Sequence, residues 1–234
     1  MSKEIFSFKM FSSKYVINAE IDSKLAWIRL FFVFILCATG FIGMWSVVMI
    51  LPSIQNEFNV QRSSVVLPYI FTMIGFGIGN IIIGKYVDKH GINKPIIYAL
   101  CLLIVTYFLS VISKNIMTLA IFQSILGFSS AVFFGPMMTD ITKFFEEKRG
   151  LAVSIIASSQ HFAGAIWPYF LEKFLIENLW RDSHMFIGIS CLILFPPFYF
   201  LINKIKINNK IVSRSNFNES YIVKHNKNIS VTKF

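Results

Sequence analysis

Acidic residues are scarce in this chain of 234 residues, where 12 Asp and Glu stand against 22 Lys and Arg and leave a net charge of +10. Charge of either sign is scarce as well, at 15% of residues against 55% hydrophobic, which excludes an ordinary soluble domain. Only three cysteines are present, Cys37, Cys101 and Cys191, and each lies in an apolar run. An odd number in such settings excludes a disulfide framework and reads as small apolar filler. The four histidines have no ligand spacing, and the polar hinges hold no paired carboxylates or nucleophile–base set. The sequence therefore offers neither a catalytic constellation nor a cofactor or metal site. A cleavable signal peptide is excluded too, because the segment ahead of the first apolar run is polar and contains Glu4, Glu20 and Asp22.

What the chain has in abundance is apolar length. Runs at 28–51, 65–83, 96–112, 116–138, 151–171 and 184–202 are each about long enough for a helix to cross the hydrocarbon core. They predict an all-α polytopic membrane protein with three parts: an arm over 1–27, a six-helix bundle over 28–202 and a polar basic tail over 203–234. Orientation follows from where Lys and Arg accumulate, since cytoplasmic segments near span ends retain positive charge. Basic residues crowd the arm, the second hinge (Lys85, Lys89, Lys94), the fourth hinge (Lys143, Lys148, Arg149) and the tail. Only Arg62, Lys114, Lys173 and Arg181 fall on the other side. Both ends are thus expected in the cytoplasm, after an even number of crossings. A bacterial inner membrane is the expected setting. The basic residues are dispersed over four segments without interleaved aromatics, so they favour membrane lipid over nucleic acid as partner.

The second hinge reads Gly84-Lys85-Tyr86-Val87-Asp88-Lys89-His90-Gly91, with Lys94 three residues on. Its glycines allow a tight reversal with positive φ, and Asp and Lys between them are expected to hold the turn by charge-assisted contacts. The Gly-x-x-x-Asp-Lys-x-Gly spacing resembles the loop signature between the second and third helices of the major facilitator superfamily. A second resemblance begins at Phe144-Phe145-Glu146-Glu147-Lys148-Arg149-Gly150-Leu151-Ala152-Val153-Ser154. It continues through Gly164-Ala165-Ile166-Trp167-Pro168 and Trp180-Arg181, and looks like the fifth helix of the branch containing monocarboxylate and oxalate/formate carriers.

The resemblance implies a carrier built of two six-helix halves with solute bound between them near the midplane. This chain supplies six spans and so reads as an N-terminal half, with a second chain as a candidate source of the missing half. It also implies that Lys89 pairs with Asp140 at the end of the fourth helix, with Arg149 nearby. Asp88 would face the opposite half, and is therefore expected to be exposed in a single copy. Many proton-coupled members have an Arg four residues before a Gly in the fourth helix; here Gln123 precedes Gly127, so proton exchange is not carried over.

Polar groups at membrane depth are costly and are candidate solute contacts by default. Gln160 and His161 in the fifth span, Asn80 in the second and Gln123 in the fourth qualify, with Trp45 as an aromatic wall. Histidine changes charge near neutral pH, which suits His161 to an anionic solute. The plainer reading of each is a hydrogen bond to a neighbouring helix, and Trp45 and Trp167 read more readily as interface anchors than as pocket walls. Glycine pairs at Gly40/Gly43 and Gly75/Gly79 give flat surfaces for close helix packing. The function expected is transport of a small organic solute, an anion being one class compatible with His161. The alternatives are an inactive truncated remnant of a carrier and a non-transporting membrane scaffold.

Overall fold

The structure, a computed structural model, describes residues 17–177 and 179–207. The basic residues expected to fix orientation at Lys3, Lys9, Lys14 and from Lys210 onward lie outside them.

All six expected spans are helical. The first comprises α1 (Lys24–Gly40) and α2 (Ile42–Phe58), together a rod of 35 residues. A short turn of helix, α3 (Arg62–Val65), leads into the second span, α4 (Leu67–His90). The third is α5 (Asn93–Val111). The fourth is α6 (Ile116–Ser130), a 3-10 turn (Ala131–Phe133) and α7 (Gly135–Thr142). The fifth and sixth are α8 (Arg149–Ile176) and α9 (Trp180–Lys204). Five of these rods are long and apolar enough to cross a membrane. The remaining one, α8, has 28 residues, ample at 1.5 Å of rise each, and carries Ser154, Ser158, Ser159, Gln160 and His161. The fold is an all-α polytopic membrane protein.

Local chemistry sets the ends. Ser23 caps α1, its hydroxyl accepting from the Ala26 amide at 3.4 Å, and Asn115 caps α6, accepting from the Thr118 amide at 2.8 Å. Gly91 ends α4 with φ of 75°, a conformation few other residues adopt cheaply. Gly84, however, is an interior residue of α4, so the reversal involves one of the two hinge glycines. Lys85 to His90 form the last turns of that helix, where Tyr86 and His90 stack at 4.3 Å.

Spans one and four break where they face each other. In span one the Met44 amide bonds to the Phe41 carbonyl three residues back, while the Gly40 carbonyl accepts from Ser130 Oγ at 3.1 Å. In span four Pro136 has no N–H for the Val132 carbonyl, which forces the 3-10 turn before it. A Cβ on Gly40 would lie 2.1 Å from the Phe133 ring, so the two breaks interlock. Spans two and four share the most extensive contact. A Cβ on Gly75 would lie 1.9 Å from the Ser124 carbonyl oxygen, and one on Gly127 2.0 Å from that of Thr72. The Gly75/Gly79 surface does pack backbone to backbone, as expected.

Two further features were not expected. Ile17–Ala19 (β1) pairs in parallel with Ile205–Ile207 (β2), Asn18 opposite Lys206, so the segments flanking the bundle lie side by side. Cys101 is exposed on the outside of the bundle, whereas Cys37 and Cys191 are buried filler.

Candidate functional site

The polar residues inside the bundle fall into three groups, and their surroundings separate them. The first links α2 and α8. Trp45 Nε1 donates to the Gln160 carbonyl at 2.9 Å, and Gly164 permits the approach because a Cβ there would lie 3.0 Å from the indole. Gln160 is half-buried beside the ring, and His161 next to it is exposed. Ser154, Ser158, His161 and Ala165 are all exposed and recur at helical spacing, forming one stripe along α8. The neighbouring sector of the same helix is different. Phe162, Ile166, Tyr169 and Phe170 are exposed and apolar, and Phe162, Ile166 and Phe170 help wall a crevice of about 290 Å³ shared with α1 and α9. Trp167 lines it as well, with its Nε1 donating to the Ala38 carbonyl at 3.3 Å.

Asn80 is half-buried on α4, its Nδ2 donating to the Phe76 carbonyl at 2.9 Å and its Oδ1 3.6 Å from a Cβ built on Gly135. Gln123 is fully buried in the glycine seam between α4 and α6. It accepts from Thr72 Oγ1 at 3.4 Å, and its Nε2 has no partner among the described residues. The structure therefore joins Trp45 to the backbone of Gln160, leaves His161 exposed beside it in sequence, and keeps Gln123 sealed within the helix packing.

The second group binds the ends of spans one, four and six. Arg29, buried near the start of α1, donates to Asp140 Oδ2 at 2.5 Å, to the Ile205 carbonyl at 2.6 Å and to that of Ile202. Its guanidinium also lies 4.4 Å over the Phe144 ring. Lys143 completes the cluster, 3.4 Å from Asp140 Oδ1. This corrects the expected Lys89–Asp140 pair: Asp140 is taken by two cations, and Lys89 is exposed on the final turn of α4. Asp88 is exposed as expected. Neither hinge residue makes an ion pair among the described residues, so the contacts expected to hold that turn are replaced by continuation of the helix. Arg149 donates its Nε to the Phe145 carbonyl at 3.2 Å and caps that turn.

The third group was missed in the sequence. His184 is fully buried; its Nδ1 lies 2.7 Å from Ser110 Oγ, and its Nε2 has no partner among the described residues. Tyr107, whose ring meets His184 edge-on at 5.4 Å, donates its hydroxyl to Ser46 at 3.1 Å. One turn further out, Arg181 donates to Glu57 at 2.5 Å and to the Ser113 carbonyl at 2.9 Å, and Trp180 donates to the other Glu57 oxygen. His184 stood at the edge of an apolar run and read as a boundary. Arg29 also stood at a run's edge, where it was counted only as a topological charge. In both cases the signal was an ionisable group within one turn of a span.

Among the described residues no group of three or more His, Cys, Asp or Glu is placed to hold a metal.

Comparison with known proteins agrees with this architecture. Residues 31–228 match the family model described as Major Facilitator Superfamily. The chain is similar to the MFS-type transporter pynF of Aspergillus niger, 27% identical over 99 residues, or 42% of this chain and 23% of that protein. It is also similar to the MFS-type transporter pytF of Aspergillus terreus, 25% identical over 126 residues, or 53% of this chain and 43% of that one. Each match spans less than half of the relative's length. With the family model covering most of the chain and six helical rods of the expected order, the chain belongs to the major facilitator superfamily.

Proposed function

We propose that this bundle is one moving part of a secondary carrier for a small organic solute, rocking against a second bundle to expose a central site to each side in turn. The observation that supports this most is the polar stripe of α8. Ser154, Ser158 and His161 are exposed at membrane depth; the two hydroxyls donate to the Gly150 and Ile155 carbonyls of their own helix at 2.9 and 2.8 Å, and the His161 imidazole has no partner among the described residues, which lipid cannot supply. Such a face needs water or protein against it, whereas the apolar sector beside it is suited to lipid. A second six-helix bundle, in a longer polypeptide or another chain, would cover the stripe and leave an aqueous path along it.

In this reading Trp45, Gln160 and His161 are the solute contacts contributed by residues 28–202, Asn80 lies on the flank, and Gln123 serves the packing. Asp88, Lys89 and Lys94, with Gly84 and Gly91, belong to the conformational hinge. The basic hinges favour a cytoplasmic position for both flanking segments, 1–27 and 203–234. The two relatives are fungal and lend no support to the bacterial setting. A monocarboxylate-like anion is the solute class we favour, from His161 and the Arg149-Gly150-Leu151-Ala152 start of α8.

The direct test is access. With Cys101 first replaced by serine, a cysteine at position 158 should react with a membrane-impermeant thiol reagent, or cross-link to a second bundle. Reaction with lipid-soluble reagents alone would mean that the stripe faces lipid, and the carrier reading would fail. In proteoliposomes, uptake of a small carboxylate should fall more than about tenfold in His161→Ala and Trp45→Ala, a loss of transition-state or binding energy of ~1.4 kcal/mol or more.

A further inference from the structure

The basic hinge after the second span does more than set topology in this structure. On the outside of the bundle α4 and α5 diverge around an apolar crevice of about 260 Å³, walled by Ile82, Tyr86, Pro95, Tyr98 and Leu102 and floored by Phe128. It lies immediately below the turn at Gly91. Lys85 and Lys89 lie on the last turns of α4, Lys94 on the first turn of α5, and His90 is stacked on the crevice residue Tyr86; all four are exposed. At roughly 100° per residue, Lys89 lies about 60° around α4 from Tyr86, whereas the acid Asp88 lies about 160° away, on the side of Lys85. Tyr86 is 38% and Tyr98 63% exposed, each with an apolar ring against the crevice and a hydroxyl free to reach the headgroup layer.

We infer that this crevice is a binding site for one anionic phospholipid, its acyl chain lying between α4 and α5 and its phosphate held by Lys85, Lys89 and Lys94. Two independent features converge on that occupant. An apolar slot at the hydrocarbon edge accepts a hydrocarbon chain, and the exposed lysines of the adjoining turn, none of them in an ion pair among the described residues, accept an anion. Neither feature alone distinguishes a lipid from a generic apolar face or a generic basic loop. Together they demand a molecule that is apolar over one length and anionic at one end. The inference uses the hinge's cytoplasmic placement only to choose the leaflet.

The test is native mass spectrometry of the full chain in a neutral detergent, titrated with phosphatidylglycerol or phosphatidylcholine of identical chains. Phosphatidylglycerol should bind in one-to-one stoichiometry and preferentially. The preference should fall about fivefold for each lysine neutralised and on the order of a hundredfold in K85Q/K89Q/K94Q. In K143Q/K148Q, which neutralises the other basic hinge, the preference should be unchanged. Equal losses in both variants, or none in either, would reduce the site to diffuse surface charge and overturn the proposal. Glycerol phosphate without chains should not displace the lipid at equal concentration; if it does, the crevice is not part of the site. A variant-free check is a phosphatidylglycerol carrying a photoreactive diazirine in its chain, which should label the peptides containing Ile82, Tyr86, Tyr98 or Leu102. Labelling confined to other surfaces would overturn it. Detergent binding is blind to membrane sidedness, whereas impermeant labelling of a cysteine at position 94 reports sidedness alone, so the two readings fail separately.

Discussion

The seam between α4 and α6 and the open flank of α8 are both made of small and polar residues inside membrane spans, yet one is closed and the other is not. In the seam Gly75, Gly79 and Gly127 bring backbones into contact, and the polar side chains are sealed inside it, Thr72 Oγ1 lying 2.8 Å from the Pro68 carbonyl and 3.4 Å from Gln123 Oε1. On α8 the same residue types, Ser154, Ser158 and Ala165, line up with His161 on an exposed stripe, the two hydroxyls bonded only to carbonyls of their own helix. Small residues in a span therefore do not by themselves mean helix packing. What decides is whether a facing helix presents matching small residues, as α4 and α6 do reciprocally.

That contrast can be broken by mutation, with effects expected to fall in a definite order. The steepest loss of stability belongs to neither face but to the buried ion pair that joins spans one and four. Arg29→Met should cost about 3–5 kcal/mol, because Asp140 keeps only the exposed Lys143 as partner, and R29M/D140L should recover much of it. Thermal unfolding in detergent reads both; if the single variant is as stable as the parent, the pair does not hold spans one, four and six together. Next come the seam glycines. Gly75→Val or Gly127→Val forces a side chain against backbone oxygens and should cost about 1–3 kcal/mol or more. Ser110→Ala, leaving both ring nitrogens of buried His184 without a partner, should cost about 1–3 kcal/mol. The smallest effect is the one that sharpens the comparison: Ser158→Leu on the open stripe should change stability by less than about 0.5 kcal/mol while abolishing uptake. A large destabilisation there would show the stripe to be packed.

The six spans were legible because apolar length is a property of each segment alone. So were the packing role of Gly40/Gly43 and Gly75/Gly79 and the exposure of Asp88. Partnership was less legible. Asp140 was matched by resemblance to Lys89, whereas the structure gives it to Arg29, 111 residues away, through a crossing of spans one and four that no local pattern encodes. Gln123, Gln160 and His161 look alike as polar residues in apolar runs. They separate only once neighbouring helices cover the first, shade the second and leave the third exposed. The break in span four could have been read from Pro136, but its partner in span one has no proline at the break, where the Gly40 carbonyl lies 3.1 Å from Ser130 Oγ of span four.

The parallel ribbon of β1 and β2 has one more implication. Strands joined by a ladder run about 4.8 Å apart, so the polypeptide leaves the bilayer beside the place where it enters. The parity of the crossings thus follows from backbone geometry without reference to any lysine. Reporter domains fused before Ile17 and after Ile207 should always announce the same compartment, and a disagreement between them would mean that the ribbon does not form.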